Sequence, residues 1–239
     1  MTDLGTVMWK EVAEFVGNRR FLRVFAVAVL AMGILPALAF AHHQTGPAGL
    51  RPLFLLARVV YALFACAIVV AQTAPDLVLH ERVGHTLDYL LTTRLPDGAI
   101  FGGKVLVAAA VGYVAALAAL MLQLAVAAVL SGEGWRWLFL ALPPGRILAF
   151  GLTAGLSLYV AVIGTFVALR VGEQRAAYMA TILSVGLLTV PFLLGWVHLS
   201  LTAAWLGRAT GAFGLISILL GLVGLTLFRR EMLVLYLQE

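Results

Sequence analysis

The sequence predicts an all-α membrane protein. It has six transmembrane helices, an N-terminal amphipathic helix at the interface, and a second amphipathic helix on the cytoplasmic side between spans two and three. Two observations carry this. The 239 residues are 63% hydrophobic and 11% charged, whereas a soluble domain averages about 45–50% and about 25%. The mean hydropathy is +1.05. There is too little polar surface to coat a soluble globule, and disorder would need low hydrophobicity with high charge. A spanning helix takes roughly 20 residues, so the chain reads as one transmembrane domain, 1–239, with no room for a folded soluble domain beside six spans.

The elements follow in order. Residues 3–20 hold Leu4, Val7, Met8, Val12, Phe15 and Val16 at spacings of three and four, with Lys10, Glu11, Glu14 and Asn18 assigned to the other side. This is the pattern of a helix lying in the membrane interface. Arg19, Arg20 and Arg23 then stand as anchors among the lipid headgroups. Stretches poor in charge at 24–41, 53–75, 105–132, 147–169, 176–197 and 209–228 are the spans. Each suffices for a core of about 30 Å. Pro191 and Gly195 are expected break points in the fifth, and the stretch after it reads as a short re-entrant or interfacial piece.

Between spans two and three, residues 76–96 predict the second amphipathic helix. Thr73 and Asp76 are spaced as a capping box, with Pro75 in the first turn. Val83, Leu87, Leu90, Leu91 and Leu95 form one stripe, while Glu81, His85, Asp88 and Thr92 lie opposite. Pro96 stops the helix, Asp97-Gly98 turns the chain, Gly102-Gly103 bends it into span three, and Lys104 is a further interfacial anchor. A connector needs only a few residues, so a helix with a charged outer face reads as a docking element.

Orientation follows from the basic residues. With six spans, eleven lie on the side of the termini (Lys10, Arg19, Arg20, Arg23, Arg82, Arg94, Lys104, Arg170, Arg175, Arg229, Arg230) and five on the other (Arg51, Arg58, Arg136, Arg146, Arg208). Both termini are therefore expected in the cytoplasm. The net charge of +5 reads as topology and lipid contact. The basic residues are scattered singly, which is no nucleic-acid surface. Ala39-Phe40-Ala41 resembles a signal-peptidase site, but the apolar stretch before it is long and the region preceding that contains Asp3, Glu11 and Glu14.

Three partial motifs are set aside. Gly98 to Lys104 has the glycine and lysine spacing of a phosphate loop, but Val105 stands where Ser or Thr should hold magnesium, and a membrane span follows. His80 and His85 flank Glu81 as in a zinc-protease helix, but they are five residues apart, which turns the rings roughly 140° from one another. His42, His43 and His198 gather at the outer ends of spans, where a metal or haem is a lesser reading than interfacial polarity. Cys66 reads as a small apolar side chain. No ionisable residue stands at mid-membrane, which argues against an ion-coupled carrier.

The loop resembles the signature region of type-2 ABC exporter permeases. In that family, a stretch of the form E-R-x-x-G-T-L-x-L-L-x-S/T follows span two, and a glycine-lysine pair opens span three. The matching residues are Glu81, Arg82, Thr86, Leu87, Asp88, Leu90, Leu91, Thr92 and Gly103-Lys104. His85 occupies the place of the family's glycine, with Gly84 one residue early. The resemblance covers the whole chain in topology and some 25 residues in motif.

It implies a permease subunit in a bacterial or archaeal plasma membrane. The chain would pair with a second permease copy, as a homo- or heterodimer, and with a cytosolic ABC ATPase. It would hold no cofactor of its own, since ATP and magnesium would bind the partner, and it would not itself be an enzyme. Residues 76–96 would be the coupling helix, touching the ATPase through Glu81, Arg82, His85, Thr86, Asp88 and Thr92. Arg170, Glu173 and Arg175 would make a smaller contact. The external loops are short and the span interiors weakly polar, so a lipid-like or drug-like substrate is expected. A haem exporter of the same family and a non-transporting assembly or anchor protein are the alternatives.

Overall fold

The computed structural model describes residues 3–41, 51–83, 96–131, 147–171, 173–198 and 203–227. These residues are helical throughout apart from short turns, with no strand among them. The helices are α1 (Asp3–Gly17), α2 (Arg19–Ala41), α3 (Arg51–Val83), α4 (Asp97–Ser131), α5 (Thr153–Arg170, entered through a π-helical segment Ile147–Leu152), α6 (Gln174–His198) and α7 (Ala203–Leu227).

The centre is the mutual packing of α3, α4 and α5. Helices in lipid gain little from hiding apolar surface, so close approach must come from small side chains. Ala65, Ala71 and Ala74 of α3, with Ala108, Ala115 and Ala116 of α4, are all but fully buried. Gly112 of α4 lies against Val70 and Cys66 of α3, where even a single added methyl would collide with Val70. Cys66 is part of this packed core, as a small apolar side chain would be. Around the centre, α1 and α2 flank α4, α6 lies on α3 and α5, and α7 covers α5 and the π-helical segment. The hydroxyls of Thr165, Thr181 and Ser184 donate to carbonyls four residues back in their own helices, so the buried interfaces carry few unmet polar groups.

The outer surface is apolar. Val27, Leu30 and Leu35 of α2, Met179 and Leu183 of α6, and Leu215, Leu219 and Leu222 of α7 are exposed. Four stretches among the described residues are long and apolar enough to cross a membrane: Arg19–Leu38, Tyr61–His80, Gly98–Leu130 and Phe150–Arg170. A shorter apolar stretch, Gly214–Gly224, lies in α7. The chain is thus a helical protein of multi-pass membrane character.

Three local expectations are corrected. The capping box at Thr73 is absent: α3 runs unbroken through Pro75 to Val83, and the Thr73 hydroxyl donates to Val69 and Val70. A helix end opened there would expose backbone groups inside the bundle, which an apolar setting penalises. Gly102 and Gly103 are no bend, because α4 already begins at Asp97. Their role is contact, since a Cβ on Gly103 would come within 2.6 Å of a Val7 methyl of α1. Helix α6 is continuous through Pro191 and Gly195 to His198.

α2 contains Pro36. Proline has no amide hydrogen, so the carbonyl four residues back, that of Met32, loses its helical donor. Gln123 of α4, wholly buried, supplies the replacement: its Nε2 donates to the Met32 carbonyl at 2.6 Å. Neighbouring helices commonly repair prolines in this way inside membranes.

Candidate functional site

The polar residues of the bundle gather at the end that carries the N-terminus. Asn18 makes the corner between α1 and α2. Its backbone amide closes α1 on Glu14, and its side-chain oxygen accepts from the Arg20 amide, capping α2. Phe15 stacks on Phe21 at 5.6 Å and meets Phe25 edge-on at 6.4 Å, which fixes the angle of the corner.

α1 has three faces. Val7, Glu11 and Phe15, at spacings of four, point inward and are buried. Trp9, Val12 and Val16 are exposed and apolar. Lys10 and Glu14 pair across one turn at 3.5 Å on a polar edge. The apolar outer stripe with its Trp is what an interfacial helix presents to lipid. Glu11 lies on the buried face, not the outer one to which sequence spacing assigned it.

The reason is Lys104. Its side chain is 2% exposed, and Nζ donates to Glu11 Oε1 at 2.7 Å and to the Leu77 carbonyl at 2.8 Å. Lys104 is therefore not a headgroup anchor but a buried joint linking α1, the last turns of α3 and the first turns of α4. Leu77 and Lys104 stand at the two ends of the segment that carries the sequence-predicted docking residues. Within it, Glu81 and Arg82 belong to the last turn of α3, while His85, Thr86, Asp88 and Thr92 lie outside the described residues. Of the other predicted anchors, Arg19, Arg20 and Arg23 are exposed at the start of α2.

The second predicted contact forms the turn between α5 and α6. Val171 is extended and ends α5, and α6 starts at Gln174. Arg170, Glu173 and Arg175 are exposed, with Arg170 over the Phe166 ring at 5.5 Å. The turn brings Gln174 onto α3, where its amide donates to the Asp76 carboxylate. Beside that bond lies a cleft of about 400 Å³, lined by Arg20 of α2, Gln72 and Asp76 of α3, and Gln174, Arg175 and Tyr178 of α6. A second cleft, about 350 Å³, also has Asp76 in its wall, together with Asn18, Arg19 and His80.

Sequence reasoning missed Glu11, Asp76 and Gln174 as structural partners. The signal for Glu11 was its place four residues from both Val7 and Phe15, in line with the apolar stripe. For Asp76 and Gln174, 98 residues apart, the sequence carries no local signal. Of the outer histidines, His42 and His43 lie outside the described residues. Among the described residues no group of three potential ligands could hold a metal. Comparison with protein-family models gives no match for this chain, and comparison with curated proteins gives none.

Proposed function

We propose that this chain is the permease subunit of an ATP-binding-cassette exporter, moving a lipid-like or drug-like substrate out of the cytoplasm. It works as one of two permeases paired with separate cytosolic ATPase subunits, with both termini in the cytoplasm and six spans.

One observation supports this most. The segment resembling a coupling loop is tied at both ends to a single buried ion pair. Lys104 holds the loop's exit, the Leu77 carbonyl near its entry, and Glu11 of the interfacial helix within one cluster. A push on the loop from a cytosolic partner then reaches α1, α3 and α4 together rather than being lost in a slack connector. α3 and α4 in turn make up most of the packed centre, so the movement is passed to the spans as a rigid-body shift. Alternating access follows from two such subunits rocking against each other. Glu81, Arg82, His85, Thr86, Asp88 and Thr92 provide the docking face, and Arg170, Glu173 and Arg175 a second contact.

The test is co-purification of the full chain with its cytosolic ATPase, followed by charge reversal, Glu81→Lys with Asp88→Lys. Reversing charges at a protein contact costs affinity chiefly through misplaced like charges. Recovered ATPase should fall about tenfold or more, which corresponds to about 1.4 kcal/mol or more, and ATP turnover by the complex should fall with it. Unchanged association and turnover would overturn the docking role and favour an assembly or anchor protein.

A further inference from the structure

Apart from Arg175, which the transport reading places in its second contact, the cleft between α2, α3 and α6 has a chemistry that reading does not use. Three walls converge on it, and each changes character in the same direction. On α2, Arg20 is followed at helical spacing by Val24 and Val27, half-exposed and exposed. On α6, Arg175 is followed four and eight residues on by Met179 and Leu183, both exposed. On α3, read back from the cleft, Asp76 and Gln72 give way to Ile68 and Phe64. Side chains at spacings of four lie above one another on a helix. All three walls are therefore polar at the bundle's end and apolar toward its middle, the profile of an amphiphile standing in a leaflet.

The polar end is built for a single negative charge. Arg20 and Arg175 are exposed, and among the described residues neither comes within ion-pair distance of a carboxylate, although the Arg20 charge is felt at Asp76. The first turn of α6 begins at Gln174 and adds amide hydrogens and the positive end of a helix dipole. Asp76, bonded to Gln174, contributes one opposing charge. Two guanidiniums and one carboxylate leave a balance of +1, matched by a phosphodiester and poorly by a dianionic phosphate. Guanidinium groups suit phosphate oxygens in geometry as well as charge.

We infer that this cleft binds the phosphodiester headgroup of a phospholipid in the leaflet on the N-terminal side, with the acyl chains lying along the apolar walls of α2 and α6. The inference stands without the transport reading, because a bound structural lipid needs only the cleft and the bilayer.

The experiment uses the full chain, purified in dodecyl maltoside and followed by thermal unfolding. Dioleoyl-phosphatidylglycerol is titrated against dioleoylglycerol and against glycerophosphoglycerol, the same headgroup without chains. Phosphatidylglycerol should raise the unfolding temperature in a saturable way, and neither control should do so over the same range. Arg20→Gln with Arg175→Gln should weaken the apparent affinity about tenfold or more. Asp76→Asn, which removes the opposing charge, should tighten it, whereas Arg208→Gln, at an exposed position of α7 away from the cleft, should leave it within about twofold. Equal stabilisation by dioleoylglycerol, or an unaltered titration in the Arg20/Arg175 variant, would overturn the headgroup site. Equal binding of glycerophosphoglycerol would overturn the lipid as its source. A change in the dimer fraction of that variant without a lipid effect would assign the cleft to a second copy of the chain and equally overturn the proposal.

Discussion

At the scale of single residues, the Glu11–Lys104 pair is the feature with the largest consequence. Both side chains are almost fully buried, 1% and 2% exposed. Taking two charges out of water is costly, and their attraction offsets that cost only while both are present. Lys104→Met leaves a buried carboxylate facing an apolar side chain and removes the donor to Leu77. It should destabilise the protein by about 3–5 kcal/mol, a fall of about 6–20 °C in unfolding temperature for a chain of this size. Glu11→Gln leaves the Lys104 charge buried without its counter-ion but keeps an oxygen that can accept from it, so its cost should fall at the low end of that range. Glu11→Met with Lys104→Met removes both charges and should recover most of the loss. Thermal unfolding of the purified variants, followed by tryptophan fluorescence, checks the order. Additive losses in the double variant would show that the two charges do not stabilise each other.

At the scale of elements, the helices that the apolar runs marked are present, but their ends and joints are not where local rules put them. Thr73 and Asp76 satisfy the spacing of a cap, yet Thr73 bonds back within α3. A capping rule counts only local donors, whereas here the surrounding bundle decides whether backbone may be opened. Pro36 was legible as a proline in a span. Its repair by Gln123, 91 residues distant from Met32, was not, because periodicity within one helix does not identify the facing residue on another. The pairing makes a quantitative prediction. Gln123→Leu should cost about 0.6–1.7 kcal/mol, from the average to the largest value found for hydrogen bonds between membrane helices by double-mutant cycles. In a Pro36→Ala background the restored amide of residue 36 bonds Met32 directly, and Gln123→Leu should then cost markedly less. A double-mutant cycle on unfolding free energy measures the difference. A coupling near zero would mean that Gln123 stabilises α4 without regard to Pro36.

At the scale of the whole molecule, the charged pair and the amides within do not follow from the composition, whereas the apolar exterior follows from it alone. That much of the fold was open to sequence reading, because a bilayer selects on average hydropathy rather than on particular contacts. The number of crossings is a finer matter. Four described helices meet the length and hydropathy needed to span, while the sequence predicts six spans. α6 and α7, 25 residues each, decide between the two counts. Twenty-five residues of α-helix reach about 37 Å, longer than a core of about 30 Å, so length permits both to cross. Charge placement predicts that they do: Glu173 and Arg175 stand at the start of α6, Arg229 and Arg230 follow α7 in the sequence, and Arg208 is the only charged residue from 176 to 228. In a Cys66→Ala background, a cysteine at Glu173 should react with a membrane-impermeant maleimide only from the side of the N-terminus. A cysteine at Ser200 should react only from the opposite side. Both reacting from the N-terminal side would mean that α6 and α7 do not each cross the bilayer, and the six-span topology would fall. Opposite reactivity fixes α6 as a crossing. A third cysteine at Gln238, reacting from the N-terminal side, then fixes α7.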